Sequence, residues 1–138
     1  MKYLLLFLLS LACQAQNNDL LAATLILEAG GERDTRAMQA VFEVIDNRAR
    51  LRGTTHKHEI LKPFQFSCWN GLTTKGVQDK INKAKQHKRW MLALEIANNK
   101  RNKEITFGAT HYHTIYVSPY WAKSLKRTII IGNHIFYK

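Results

Sequence analysis

Glu28 is the residue whose position most invites chemistry. It follows Leu25, Thr24 and Leu21 by three, four and seven positions, so in a helix it shares their stripe. A carboxylate on a buried-facing stripe loses water, which favours its protonated form. A carboxylic acid still protonated near neutral pH can give a proton to a departing sugar oxygen, as glycosidic cleavage requires. Gly30 and Gly31 come next and would let a ligand approach the backbone closely. The same position also suits a structural carboxylate paired with a buried arginine, Arg48 being the candidate, and periodicity alone weighs the two readings equally. Glu32 would stack above Glu28 if the helix continued. The two glycines break that geometry, leaving Glu32 to tune Glu28 or to hold a loop.

Two other groups carry possible chemistry. His111 and His113 alternate on a candidate strand, which puts both rings on one face, and His134 could complete a zinc site. Nothing in the spacing supplies the supporting partners that such a site needs, so no metal and no cofactor is expected, and His113 is read as a hydrogen-bonding residue of a cleft. Cys68 is either a small buried hydrophobe or a nucleophile that would need an activating base. No Cys/His spacing points to the second, and the first is preferred. A Cys13–Cys68 disulfide is possible only if the N-terminal segment is retained.

These residues need elements to position them. A first helix is expected from about Asn18 to Ala29, with Asn17, Asn18 and Asp19 as N-cap candidates and Gly30-Gly31 as a left-handed stop. A second starts near Asp34 or Thr35, carries the stripe Met38, Val41, Phe42, Ile45 and Ala49, and ends by Gly53. A loop holds His56 to Asn70. Gln78 to Asn99 reads as helical in one or two pieces, with Trp90, Ala93, Leu94 and Ala97 as its apolar face. The cluster Lys80, Lys83, Lys85, Lys88 and Arg89 reads as a solvated face. Gly108 to Tyr116 is rich in aromatic and β-branched residues. Thr128–Ile131 and His134–Tyr137 flank Gly132-Asn133, the pattern of a hairpin. The expected class is α+β, mostly helical with a small C-terminal antiparallel sheet.

The chain has 138 residues, enough for one domain, with 46% hydrophobic and 22% charged residues, a mix that excludes a disordered chain. Its 21 Lys and Arg against 10 Asp and Glu leave a net charge of +11, which attracts polyanions such as nucleic acid or an anionic bacterial envelope. The N-terminus favours the envelope. Lys2, the apolar run Tyr3 to Ala12 and the small residues of Cys13-Gln14-Ala15 follow the plan of a signal peptide cleaved after Ala15. The run is much shorter than the ~20 apolar residues of a membrane span. The other readings are a buried N-terminal helix and a lipoprotein modified at Cys13. The second is disfavoured because Ser10 stands where a large aliphatic residue is expected. The expected product is a monomeric domain of residues 16–138, exported to the periplasm or extracellular envelope.

An ordered set of motifs then carries a resemblance. Leu21-Ala22-Ala23, Glu28-Ala29-Gly30-Gly31-Glu32, Met38-Gln39-Ala40-Val41 and Ile45-Asp46-Asn47-Arg48-Ala49-Arg50 open it. Phe64-Gln65-Phe66-Ser67, Ala109 to His113, Val117-Ser118-Pro119-Tyr120-Trp121 and Ile131 to Tyr137 continue it. Together they resemble the cell wall hydrolase family of the spore-cortex-lytic enzymes over nearly the whole of residues 16–138. Gly30 departs from the family's usual Arg, so any contact made by that Arg is absent or supplied elsewhere. The peptidoglycan-binding repeat of some relatives is missing. The resemblance implies a lysozyme-like domain, Glu28 as the catalytic glutamate, and lytic transglycosylase action on peptidoglycan glycan strands. No second carboxylate has a spacing that picks it out as the partner a hydrolytic muramidase would need. Gln65, Trp69, Tyr112, Tyr120 and Trp121 have flat faces or polar edges suited to sugars, and each could instead pack in the core. Gln65 and Tyr112 are favoured because they lie within the motifs; Phe66 and Phe136 are read as core. The competing functions are a metal-dependent nuclease using His134, which the charge would suit, and a noncatalytic peptidoglycan-binding module.

Overall fold

A computed structural model of the chain describes residues 2–98 and 103–138. Five helices precede a small sheet: α1 (Lys2–Ala29), α2 (Arg36–Arg52), α3 (His56–Leu61), α4 (Thr74–Ala84) and α5 (Trp90–Ala97), then β1 (His111–Thr114), β2 (Arg127–Ile131) and β3 (His134–Tyr137). The expected α+β class holds.

α1 is the axis of the core. Leu20 to Ile26 are all buried, so this stretch is enclosed on every side, as a central helix must be. Leu21 and Leu25 are fully buried, each stabilising by about 1.5–3 kcal/mol relative to exposure. The helix does not begin at Asn18: it runs unbroken from Lys2. Asn17, Asn18 and Asp19 therefore cap nothing. Asp19 pairs with Lys85 at 2.5 Å, and Asn18 donates to Asn98 at 2.6 Å. The upstream leucines Leu6, Leu8, Leu9 and Leu11 are 52–62% exposed. Among the described residues no helix is long and apolar enough to cross a membrane.

α2 follows its predicted stripe and stops at Gly53, whose φ of +63° forms the left-handed cap. Its buried side also carries polar residues, and these tie down the chain leading into β1. Glu43 accepts from the Thr106 N–H at 2.9 Å and the Thr106 hydroxyl at 2.6 Å. Asn47 donates to the Ala109 carbonyl at 2.9 Å, and Arg48 Nε to the Thr110 carbonyl at 2.6 Å. Hydrogen bonds that involve charged groups contribute roughly 1.5–3 kcal/mol each, so this segment is firmly placed.

The predicted loop 56–70 contains two local helical pieces. Thr55 caps α3 by accepting the His58 N–H at 3.1 Å, and Ser67–Trp69 forms a 3-10 turn. The predicted helix from Gln78 divides into α4 and α5; its last predicted residue, Asn99, lies outside the described residues. The basic cluster is not simply a solvated face. Lys80 Nζ donates to the Cys68 carbonyl, Lys85 pairs with Asp19, and Arg89 reaches the end of α1.

The sheet is antiparallel in the order β1-β3-β2. The predicted hairpin forms across Gly132, whose φ is +56°. Tyr112 pairs in register with Phe136, and Thr114 with His134. Strand alternation then puts Tyr112, His134 and Phe136 on one face and His111, His113 and Tyr137 on the other. The first face packs toward α1.

Candidate active site

Glu28 stands on the last turn of α1, half-buried. Its Oε2 accepts a hydrogen bond from the Tyr112 hydroxyl at 2.6 Å. Its Oε1 lies 3.8 Å from Cys68 Sγ, the reach of a weak thiol donor. Tyr112 is 84 residues away in sequence; it arrives there because α2 fixes the segment before β1 and β3 fixes the register. Cys68 arrives because its neighbour Trp69 is buried and donates from Nε1 to Thr24 Oγ1 at 3.1 Å, one turn before Glu28.

Both donors are locked in their protonated forms. Burial, reinforced by the adjacent Glu28 carboxylate, holds the Tyr112 phenol well above its ordinary pKa. Parts of Tyr112 meet solvent, but its hydroxyl is deeply enclosed. Burial and Glu28 likewise push the Cys68 thiol up to about 12. A nucleophilic cysteine needs the opposite shift, so Cys68 is a donor to the acid and not a nucleophile. Arg48, the alternative partner for Glu28, is bonded to Thr110 instead. Among the described residues Glu28 forms no ion pair.

Glu32 enters the same region by a different route. Gly30 and Gly31 end α1 without the expected left-handed conformation, since neither has a positive φ. Beyond them the Glu32 side chain, 14% exposed, folds back against the hairpin. Its Oε1 is 3.4 Å from His134 Nδ1, and its Oε2 would lie 2.8 Å from any Cβ placed on Gly132. The His134–Glu32 approach is off-line, so the buried Nδ1 makes no hydrogen bond. Burial lowers the His134 pKa, against the opposing pull of Glu32 and then Glu28. The His134 ring meets Tyr112 edge-on at 5.4 Å. Glu28, Tyr112, His134 and Glu32 therefore form one continuous wall.

The other candidate binding residues separate into groups. Gln65 is half-buried on the approach to the Ser67–Trp69 turn, and its side-chain amide makes no hydrogen bond among the described residues. Trp69 takes a core position. Tyr120 is 88% exposed. His113 and Trp121 lie on the sheet face away from Tyr112. The Trp121 ring is 5.2 Å from His111, 5.6 Å from His113 and 5.5 Å from Tyr137. His113 Nε2 is 2.9 Å from the Tyr137 hydroxyl, and its Nδ1 is 2.7 Å from the Thr114 carbonyl. His134 belongs to the opposite face, so the three histidines do not converge on one point. Phe66 and Phe136 are buried, as expected of core residues. Sequence reasoning missed the placement of Cys68 beside the acid and of Arg89 beside the turn, and no local pattern signalled either.

A cavity of about 500 Å³ opens elsewhere, between α1, α3 and α4, lined by residues that include Leu20, Phe64, Trp69 and Ile81. It does not contain Glu28. It is therefore separate from the polar groups that converge on Glu28.

Comparison with known proteins agrees with this fold. No curated protein matches the chain. The catalytic domain of the germination-specific lytic transglycosylase SleB from Bacillus anthracis superposes with a TM-score of 0.66 at 23% identity, covering 88% of this chain and 93% of that one. The catalytic domain of the Bacillus cereus SleB protein gives 0.61 at 26% identity, covering 89% and 91%. Residues 32–137 match the cell wall hydrolase family, a span that includes Glu32, Tyr112 and His134 and begins four residues after Glu28. The chain belongs to the cell wall hydrolase family.

Proposed function

We propose that the chain cleaves peptidoglycan glycan strands between N-acetylmuramic acid and N-acetylglucosamine, as a lytic transglycosylase with Glu28 as its acid and then its base. The observation that carries this reading is a half-buried Glu28 carboxyl with Tyr112 on one oxygen, only a thiol near the other, and no cation paired with it among the described residues. Oε1 is then the oxygen that carries the proton. It gives that proton to the glycosidic oxygen as the muramoyl C1–O bond breaks, and the N-acetylglucosamine leaves with a free 4-hydroxyl. The muramoyl C6 oxygen bonds to C1, and its proton passes to the Glu28 carboxylate. The product is a 1,6-anhydro ring, the proton is restored to Glu28, and no water is consumed. Tyr112 and Cys68 stabilise the carboxylate between the two transfers, as fixed donors at a site of developing charge do. The structural similarity to a lytic transglycosylase domain supports the reading.

Hydrolysis by a muramidase mechanism is the second reading. It is favoured by one observation, the presence of Glu32 along the same wall. Mass spectrometry of digested peptidoglycan separates the two: anhydromuramoyl ends support the transglycosylase, reducing ends the hydrolase, and intact strands contradict both.

The placement of the protein in the envelope is part of the same proposal. Residues 1–15 would be removed on export, consistent with the exposed leucines of early α1, and the net charge left, +11 less the single charge of Lys2, favours anionic envelope polymers. N-terminal sequencing of exported protein should begin at Gln16; retention of Met1 in that fraction would contradict the cleavage.

A further inference from the structure

The turn between Glu28 and Glu32 is secured by a residue from outside the wall that the two carboxylates share. A helix leaves its last carbonyls without partners, and here no left-handed glycine turns back to satisfy them. The backbone closes loosely, with the Glu32 N–H donating to the Ala29 carbonyl at 3.2 Å. Arg89 supplies what is missing. Its guanidinium donates to the Gly30 carbonyl at 3.0 Å and also to the Glu32 carbonyl. A cation is also the favoured charge at a helix C-terminus.

Arg89 is suited to this work by its surroundings. It precedes α5, which packs along α1, and its own N–H donates to His87 Nδ1 at 3.1 Å. It forms no ion pair with a carboxylate among the described residues. Gly30 itself leaves no room for a side chain that could substitute, because a Cβ there would fall 2.5 Å from the Ile26 carbonyl oxygen.

The turn matters to both carboxylates. Glu28 is two residues before Gly30, on a final helical turn of the kind that frays. Glu32 presses on Gly132 and faces His134, whose ring abuts Tyr112. Movement of the turn would reach the acid from both sides.

We propose that Arg89 is a positioning residue for glycan cleavage, which locks the Gly30–Glu32 turn and thereby fixes Glu28 and Glu32 in the wall they share with Tyr112 and His134. The proposal rests on the peptidoglycan reading above. A misplacement of about 1 Å can cost a reaction roughly 100-fold, so Arg89→Ala should lower kcat by roughly 10- to 100-fold while KM changes little. Both bonds come from Nη1, so Arg89→Lys should recover only part of the loss: an ammonium has enough donors, but its side chain ends one atom short of that nitrogen.

The test measures kcat and KM on peptidoglycan for the full chain and both variants, adds millimolar guanidinium against matched sodium chloride, and follows hydrogen exchange at the Glu32 amide. The expected result is a fall in kcat in Arg89→Ala, partial rescue by guanidinium but not by salt, and faster exchange at Glu32. Unchanged kcat, unchanged exchange, or a loss that guanidinium leaves untouched would overturn the proposal. A wild-type chain that leaves peptidoglycan intact would instead remove the functional reading itself, so the two failures are distinguishable.

Discussion

β1 divides its residues between two different jobs. Tyr112 faces α1 and donates to Glu28. His111 and His113, its immediate neighbours, face the opposite way into a cluster with Trp121 and Tyr137. The inner face sets the Tyr112 phenol, held well above its ordinary pKa, and the His134 ring, whose pKa burial lowers, against the two carboxylates at the end of α1. The outer face is an aromatic stack whose polar atoms largely satisfy one another. Three consecutive aromatic and imidazole residues thus look alike in the sequence but differ in what they can do, because a strand sends successive side chains to opposite faces.

The contrast can be broken at its strongest point first. Glu28→Gln keeps the shape of the acid but removes the proton, so kcat should fall by roughly 100- to 10,000-fold, the usual contribution of general acid–base catalysis. Binding to insoluble peptidoglycan should persist in a pull-down assay. Tyr112→Phe removes a hydrogen bond to a charged group, about 1.5–3 kcal/mol, and should lower kcat roughly 10- to 100-fold with a small change in melting temperature. Trp121→Ala is the converse test on the outer face. It should destabilise by about 2 kcal/mol, below the 3–5 kcal/mol of a fully buried tryptophan, yet leave kcat nearly unchanged for protein kept well below its melting point. A large loss of kcat without loss of stability would mean that the outer face binds substrate.

A fourth prediction concerns pH. The folded pKa of His134 is lowered from 6.5, so the unfolded chain takes up this proton first as pH falls. The stability linked to His134 is therefore complete above about pH 6.5 and declines as pH drops toward the folded value. Replacing His134 with Gln should flatten the acid side of a stability–pH curve measured by denaturant unfolding. An unchanged slope would show that other groups set it. The smallest effect is chemical: with its pKa pushed up to about 12, Cys68 should resist alkylation at pH 8 in a folded Cys13→Ser variant and react fully once unfolded.

Much of the fold was legible because its signals were local. α2 shows an uninterrupted apolar stripe ended by Gly53, and the β2–β3 hairpin has two β-branched and aromatic runs around Gly132-Asn133. α1 was legible only in its second half. Asn17, Asn18 and Asp19 have the chemistry of caps, but the apolar run before them continues the helix and directs Asn18 and Asp19 to partners just past the ends of α5 and α4 instead. α3 has six residues, too few to display a period. Helical spacing placed Glu28 on the inward stripe of α1 without choosing between its two readings, and the resemblance put both Glu28 and Tyr112 among the candidates. The placements of Cys68 and Arg89 were not legible, because each acts through contacts 40 to 59 residues away, one with a carboxylate and the other with backbone carbonyls that leave no mark on the sequence.

The most direct test of the account is mass spectrometry of the fragments released from purified peptidoglycan by the native chain and by Glu28→Gln. The account predicts 1,6-anhydromuramoyl ends from the native chain and essentially none from the variant. Anhydro fragments released at an undiminished rate by Glu28→Gln would contradict the assignment of Glu28 as the acid on which the whole site is built.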